Sequence, residues 1–293
     1  NLIGKGKTIS VVEADEFDRS FLHLHPDIAC VTSMDADHLD IYGDKSAIEV
    51  SFREFADKVS DKTKLFVPKG LPLEGLTVGI NNGATYTAKN IRVENSSYVF
   101  DVETSSETIK NIAFGLPGHH NLMNALMALA MAKTFGTPTS DIANALASFK
   151  GVQRRFSYQI KSENLVYIDD YAHHPTEINA VHQAVRELYP NQKVLAIFQP
   201  HLFSRTKDFA DDFAKSLSQF DELLLMDIYP ARELPMQGIT SEWLLSKVKN
   251  ENKKLVQKTD LISSILESDA KIIVTIGAGD IGELVPKIKS ALL

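Results

Sequence analysis

The sequence predicts an α/β protein whose sheets are mostly parallel, and three observations carry that expectation. From about Val152 to the C-terminus, short apolar runs alternate with amphipathic stretches of helical spacing, the pattern of a parallel sheet wrapped by helices. Several of those runs end in clusters of polar or titratable residues, as they do where ligands bind at the carboxyl edge of an open α/β sheet. The richest cluster is Asp169-Asp-Tyr-Ala-His-His174, which follows the apolar run Leu165–Ile168 and leads into Pro175-Thr-Glu177. Proline is least costly in the first turn of a helix, and an acid there suits the dipole, so a helix is expected to open at Pro175. The competing reading is a polar, merely solvated loop.

The 293 residues are enough for about two domains, and 44% apolar with 24% charged residues is an ordinary globular composition. The net charge is −7 and the basic residues are scattered, so nothing forms the stripe that nucleic-acid binding requires. A single cysteine, Cys30, permits no internal disulfide and fits a reducing compartment. The longest apolar run, Ala125–Ala132, falls short of the roughly 18 residues of a membrane span. A cytoplasmic protein is therefore expected. The chain opens at Asn1 almost directly on an apolar run, which reads as a fragment of something longer.

In the first half, Thr8–Ala14 and Asp27–Ser33 read as strands, each followed by acids: Glu13-Ala-Asp-Glu16 and Asp35-Ala-Asp-His38. Two strands ending in carboxylates are consistent with a Mg²⁺ site, because hard cations prefer oxygen ligands. Acids that cap helices or face solvent would look the same. Gly6-Lys-Thr8 imitates the tail of a phosphate-binding P-loop but precedes a strand instead of following one, so it is not read as one. A helix is expected over Ala47–Val59. Short β runs follow at Leu65–Val67, Leu76–Ile80, Thr85–Val93, Tyr98–Val102 and Ile109–Phe114, with Asn81-Asn-Gly83 as a hairpin turn. This reads as a small meander added to a parallel core.

Gly118-His-His-Asn-Leu-Met-Asn124 opens a long apolar helix, Leu122–Phe135. Asn121 and Asn124 lie three apart, on one face of its first turn, and their amides suit the edge of an adenine. N-capping by Asn121 is the plainer alternative. A helix over Asp141–Phe149 leads to Arg154-Arg155, which suit a phosphate or simple surface charge.

In the second half the expected strands are Phe156–Ile160, Leu165–Ile168, Lys193–Phe198, Glu222–Ile228, Lys254–Gln257 and Lys271–Ile276. The expected helices are Pro175–Tyr189, Lys207–Phe220, Ser241–Val248 and Leu261–Leu266, with one more after Gly282. Gly277, Gly279 and Gly282 match G-x-G-x-x-G, but no acid follows about 20 residues on, so they are read as a tight turn and close packing, with at most a backbone contact to a ligand.

Taken together, seven motifs resemble the Mur ligases of peptidoglycan synthesis: Glu-Ala-Asp-Glu (13–16), Asp-Ala-Asp-His (35–38), Gly-His-His-Asn-Leu-Met-Asn (118–124), Arg-Arg-Phe (154–156), Asp-Asp-Tyr-Ala-His-His-Pro-Thr-Glu (169–177), Phe-Gln-Pro-His-Leu-Phe-Ser-Arg-Thr (198–206) and Gly-Ala-Gly-Asp (277–280). They fall in the family's order across nearly the whole chain. The resemblance implies a truncated central ATPase domain over residues 1–151 and a C-terminal Rossmann-like domain over 152–293. The UDP-binding domain and the P-loop segment would be absent.

The resemblance also implies ATP and Mg²⁺ as cofactors and UDP-N-acetylmuramate and L-alanine as substrates, joined through an acyl phosphate. Glu13 would bind the Mg²⁺ of ATP and His38 a second metal. Asn121 and Asn124 would meet the adenine, Arg155 the terminal phosphates and Asp170 the ribose. Tyr171, His173, His201 and Arg205 would face the alanine and the acyl group. Two departures stand out: Leu202 occupies a position where some relatives carry arginine, and Phe17 and Arg19 replace small residues. Three alternatives stay open. One is a ligase adding a whole tripeptide to the same sugar nucleotide, another a non-catalytic nucleotide-binding module, and the third a metal-dependent hydrolase built on Asp37-His38 and His173-His174.

Overall fold

A computed structural model describes residues 9–35, 39–94 and 97–293. The chain divides into two compact units. One comprises the residues up to Gly115 with Leu122–Phe149, and the other Leu116–Asn121 with Lys150–Leu293.

The first unit holds a six-stranded sheet in sequential order: β1 (Ala29–Cys30), β2 (Leu65–Pro68), β3 (Leu76–Ile80), β4 (Tyr86–Glu94), β5 (Ser97–Glu103) and β6 (Thr108–Phe114). Pairs from β1 to β4 are parallel, so of the five runs expected to form a meander only β4–β5–β6 do so. Its helices are α1 (Leu39–Tyr42), α2 (Lys45–Asp57), most of α3 (His119–Phe135) and α4 (Thr139–Ser148). The Asp44 carboxylate caps α2 by accepting from the Ala47 amide at 2.9 Å. Spacing then turns Ile48 and Phe55 inward, and Phe55 stacks on Phe21 with ring centroids 5.1 Å apart.

Three expectations fail here. Residues 9–14 are not a strand: among the described residues no strand bonds to them, and Ile9, Val11 and Val12 are exposed. The strand expected over Asp27–Ser33 shrinks to Ala29–Cys30. Asn81-Asn-Gly83 is no hairpin, because β3 and β4 are parallel, with Val78 opposite Tyr86. Asn81 and Gly83 do take positive φ, as turn residues should, but the loop returns the chain in the same direction, with the Lys69 ammonium donating to the carbonyls of Asn82 and Gly83.

The second unit is a six-stranded sheet of order β11-β10-β9-β12-β8-β7, parallel throughout except for the edge strand β7. Its strands are β7 (Ser157–Lys161), β8 (Val166–Asp170), β9 (Val194–Phe198), β10 (Glu222–Leu225), β11 (Lys253–Leu255) and β12 (Ile272–Ile276). Its helices are α5 (Pro175–Leu188), α6 (Phe203–Asp208), α7 (Ala210–Leu217), α8 (Ser241–Lys247), α9 (Leu261–Leu266) and α10 (Ile281–Leu292). The helix expected over Lys207–Phe220 is two helices, starting earlier and breaking at Phe209, whose φ of −112° is not helical.

Strand residues alternate between two cores. Val166, Ile168, Val194, Ala196 and Phe198 pack with α5, α7 and α8 on one face. Tyr167, Leu195 and Ile197 pack with α9 and α10 on the other. Central parallel strands are covered on both sides, which is why they read as continuous apolar runs. Each buried Val, Leu, Ile or Phe contributes roughly 1.5–3 kcal/mol. Because β8 and β9 send their chains to one face and β12 to the other, the loops after these neighbouring strands diverge and open a crevice at their carboxyl ends.

Candidate active site

The carboxyl edge of the second sheet collects the polar motifs. Asp169 and Asp170 end β8, yet both side chains are buried and work on the protein itself. Asp170 accepts from the amides of Phe156 (2.7 Å) and Ala172 (2.8 Å), fastening the Arg154–Phe156 turn to the loop that carries Tyr171 and His173. Burial pushes its carboxyl up to about 6 against the pull of these two amides. The residue matched to a ribose contact thus has both oxygens engaged by backbone and is 5% exposed. Asp169 accepts from Thr275 Oγ1 (2.8 Å) and pairs with Arg154 Nε (3.1 Å).

The two adjacent arginines therefore have different surroundings. Arg154 turns inward: Nη2 donates to the Gly277 carbonyl at 2.5 Å, and the guanidinium lies 5.0 Å from the centroid of the Tyr171 ring. Arg155 stays about half exposed, 5.5 Å from the same ring and 3.4 Å from Glu177. Glu177 closes a capping box at the head of α5. It accepts from the amides of His173 (2.7 Å) and His174 (3.2 Å), while His174 Nδ1 accepts from the Thr176 amide. This cap orients the loop bearing His173.

Four rings then run along the edge. Tyr171 meets His173 at 5.4 Å, His173 meets His201 at 6.3 Å, and His201 stacks on Tyr229 at 5.7 Å. Burial, Arg205 and His173 together push His201 down to about 4, so its ring is neutral near pH 7. The partners fix the tautomers. Arg205 Nη1, 3.3 Å from His201 Nδ1, can only donate, so in the neutral His201 the proton sits on Nε2. His173 Nδ1 lies 3.0 Å from the Tyr171 carbonyl, which can only accept, so the neutral ring keeps its lone pair on Nε2. One imidazole presents a donor and the other an acceptor.

Other expected site residues fall as follows. Asn121 is inside α3, not at its cap, because the helix already starts at His119; its amide donates to the Pro117 carbonyl at 2.7 Å, and the side chain is buried. Asn124, one turn on, is exposed. Half-buried His120 is pushed down by burial and then by the charge of Arg155. Glu13 is exposed on an irregular segment, and His38 lies outside the described residues.

Sequence reasoning passed over Gln199 and Glu233. The Gln199 amide bridges the crevice, donating to Asp280 (2.8 Å) and accepting from the Ile281 amide (2.8 Å). Gly277, at φ +146°, is required there, since a Cβ would sit 2.8 Å from the Gln199 carbonyl oxygen. The glycine motif thus belongs to packing, as expected. Glu233 accepts from the Ser204 amide (3.0 Å) and hydroxyl (2.5 Å), holding the start of α6 beside Arg205. The only sequence signal for either was a polar residue beyond a strand end.

The Mur ligase middle domain profile matches residues 3–132, and the Mur ligase glutamate ligase domain profile matches residues 154–280. The chain belongs to the Mur ligase family. Over 292 residues this Mur ligase chain is 74% identical to a Flavobacterium psychrophilum protein named UDP-N-acetylmuramate–L-alanine ligase, covering 100% of the chain and 65% of that relative. A Christiangramia forsetii protein of the same name is 65% identical, with the same two coverages. The chain thus spans about 65% of the length of these curated relatives. Among solved structures, a UDP-N-acetylmuramate–alanine ligase from Thermotoga maritima superposes with a TM-score of 0.75 at 24% identity, over 95% of this chain and 62% of that one. A murein peptide ligase from Psychrobacter arcticus gives 0.60 at 20% identity, over 93% and 59%. These two share the Mur ligase fold with the present chain.

Proposed function

We propose that the complete protein containing this chain is an ATP-dependent amide ligase that joins L-alanine to the lactyl carboxylate of UDP-N-acetylmuramate, in the cytoplasm. The observation that carries the reading is the row Arg155, Tyr171, His173, His201 and Arg205 on one sheet edge, with histidines of opposite tautomer, in a chain 74% identical to a relative of that name.

A carboxylate is a poor electrophile, so it is first converted to an acyl phosphate; the amine then adds, a tetrahedral intermediate forms, and phosphate leaves. Phosphoryl transfer needs positioning and charge neutralisation more than covalent help. Arg155, with its exposed guanidinium, is suited to the terminal phosphates. Mg²⁺ would neutralise phosphate charge when bound; the exposed carboxylate of Glu13 suits such a hard cation, and His38 is proposed to hold a second metal. Asn121 and Asn124 are proposed for the adenine. Asp170 is assigned a role in fixing the ribose end of the site through the Phe156 and Ala172 amides it holds.

The tautomers divide the remaining work. Nε2 of His173 takes a proton from the attacking amine. Nε2–H of His201, backed by Arg205, donates to the oxyanion of the tetrahedral intermediate. In the complete protein, phosphate release should require UDP-N-acetylmuramate, ATP, Mg²⁺ and L-alanine together. Release that responds to a tripeptide and not to alanine would overturn the assignment in favour of the recycling activity.

A further inference from the structure

The resemblance places an arginine after the motif histidine in some relatives, where this chain has Leu202. That side chain cannot act as a cation, and it is 3% exposed, with its backbone held at φ +69° by a bond from its amide to the Tyr229 carbonyl (2.9 Å). The loop after β10 is pinned to the same turn at three points. The Tyr229 amide donates to the Pro200 carbonyl (2.8 Å), the Tyr229 ring stacks on His201, and Glu233 holds Ser204. Arg232 is carried between these anchors, exposed, and its charge acts on His201 after those of Arg205 and His173.

The strand order gives this cation its task. Along the edge, Arg155 stands at the β8 end of the ring row, His201 follows β9, and the Arg232 loop follows β10, on the side of β9 away from β12 and β8. The Arg232 loop therefore lies beyond His201 from Arg155, on the side of the proposed oxyanion donor away from the residue assigned to the phosphates, the side left for the incoming amine. We propose that Arg232 binds the α-carboxylate of the amino-acid substrate, supplying from the β10 loop the cation that Leu202 does not. A guanidinium matches a carboxylate through two parallel N–H donors.

This rests on the ligase reading, and its test keeps the two separate. In the complete enzyme, alanine-dependent phosphate release by the unaltered protein checks the reading; its absence removes both. Given that activity, Arg232→Gln should raise KM for L-alanine about tenfold or more, leaving KM for the sugar nucleotide and ATP unchanged and kcat within a few-fold. Arg232→Lys should recover part of the loss. The unaltered enzyme should prefer L-alanine to L-alaninamide, which lacks the carboxylate, and Arg232→Gln should lose most of that preference. An unchanged KM for alanine, a preference that survives the substitution, or a loss shared equally by all substrates would overturn the proposal.

Discussion

His201 Nδ1 lies 3.3 Å from Arg205 Nη1, four residues further on, so a permanent cation is paired with a ring that stays neutral. Burial is the first cause of that neutrality and Arg205 the second. In a histidine titration followed by NMR, His201 should have its midpoint near 4, and Arg205→Gln should move it upward. An unmoved midpoint would mean that the guanidinium does not govern the ring.

Asp170 and His201 should give opposite pH dependences of stability. Asp170 is raised to about 6 in the fold, so the native state holds its proton more tightly than the unfolded chain. Its contribution is favourable at low pH and is lost as pH rises from about 4 to 6, by up to roughly 3 kcal/mol. His201 is lowered to about 4, so its neutral form stabilises the fold above pH 6.5, and that contribution is lost as pH falls towards 4. In urea titrations of the chain across this range, His201→Gln should reduce the loss of stability on acidification, whereas Asp170→Asn should enlarge it. Parallel profiles for both variants and the parent would contradict these environments.

The sheet of the second unit was legible because central parallel strands are apolar on both faces, and the start of α5 because Pro175 and Glu177 carry local chemistry. Long-range bonds were not legible. Gln199 meets Asp280 across 81 residues and Glu233 meets Ser204 across 29, and no local pattern announces such partners. The same gap explains why Arg154 and Arg155 read as equivalents: only the fold turns one towards Asp169 and leaves the other exposed. At residues 9–14 composition misled, since an apolar run becomes a strand only where another strand bonds to it.

Glu177 links the cap of α5 to the orientation of His173. Glu177→Ala should destabilise the chain by about 1 kcal/mol, in the usual range for a lost helix cap. In the complete enzyme it should lower kcat more than this loss of stability explains, because the His173 amide loses its acceptor. Chemical denaturation with steady-state kinetics checks both parts, and full activity alongside the stability loss would confine Glu177 to the cap.

Gly277→Ala should cost about 3 kcal/mol, since the added Cβ meets a backbone oxygen at 2.8 Å and φ is +146°. A melting temperature equal to that of the parent would show that the loop relaxes freely.

Isotope transfer tests the proposed activation of the lactyl carboxylate as an acyl phosphate without kinetic assumptions. UDP-N-acetylmuramate labelled with ¹⁸O in that carboxylate is turned over by the complete enzyme with ATP and L-alanine, and the inorganic phosphate is analysed by mass spectrometry. One labelled oxygen is expected in each phosphate released; phosphate free of label, or label appearing in AMP, would contradict an acyl phosphate.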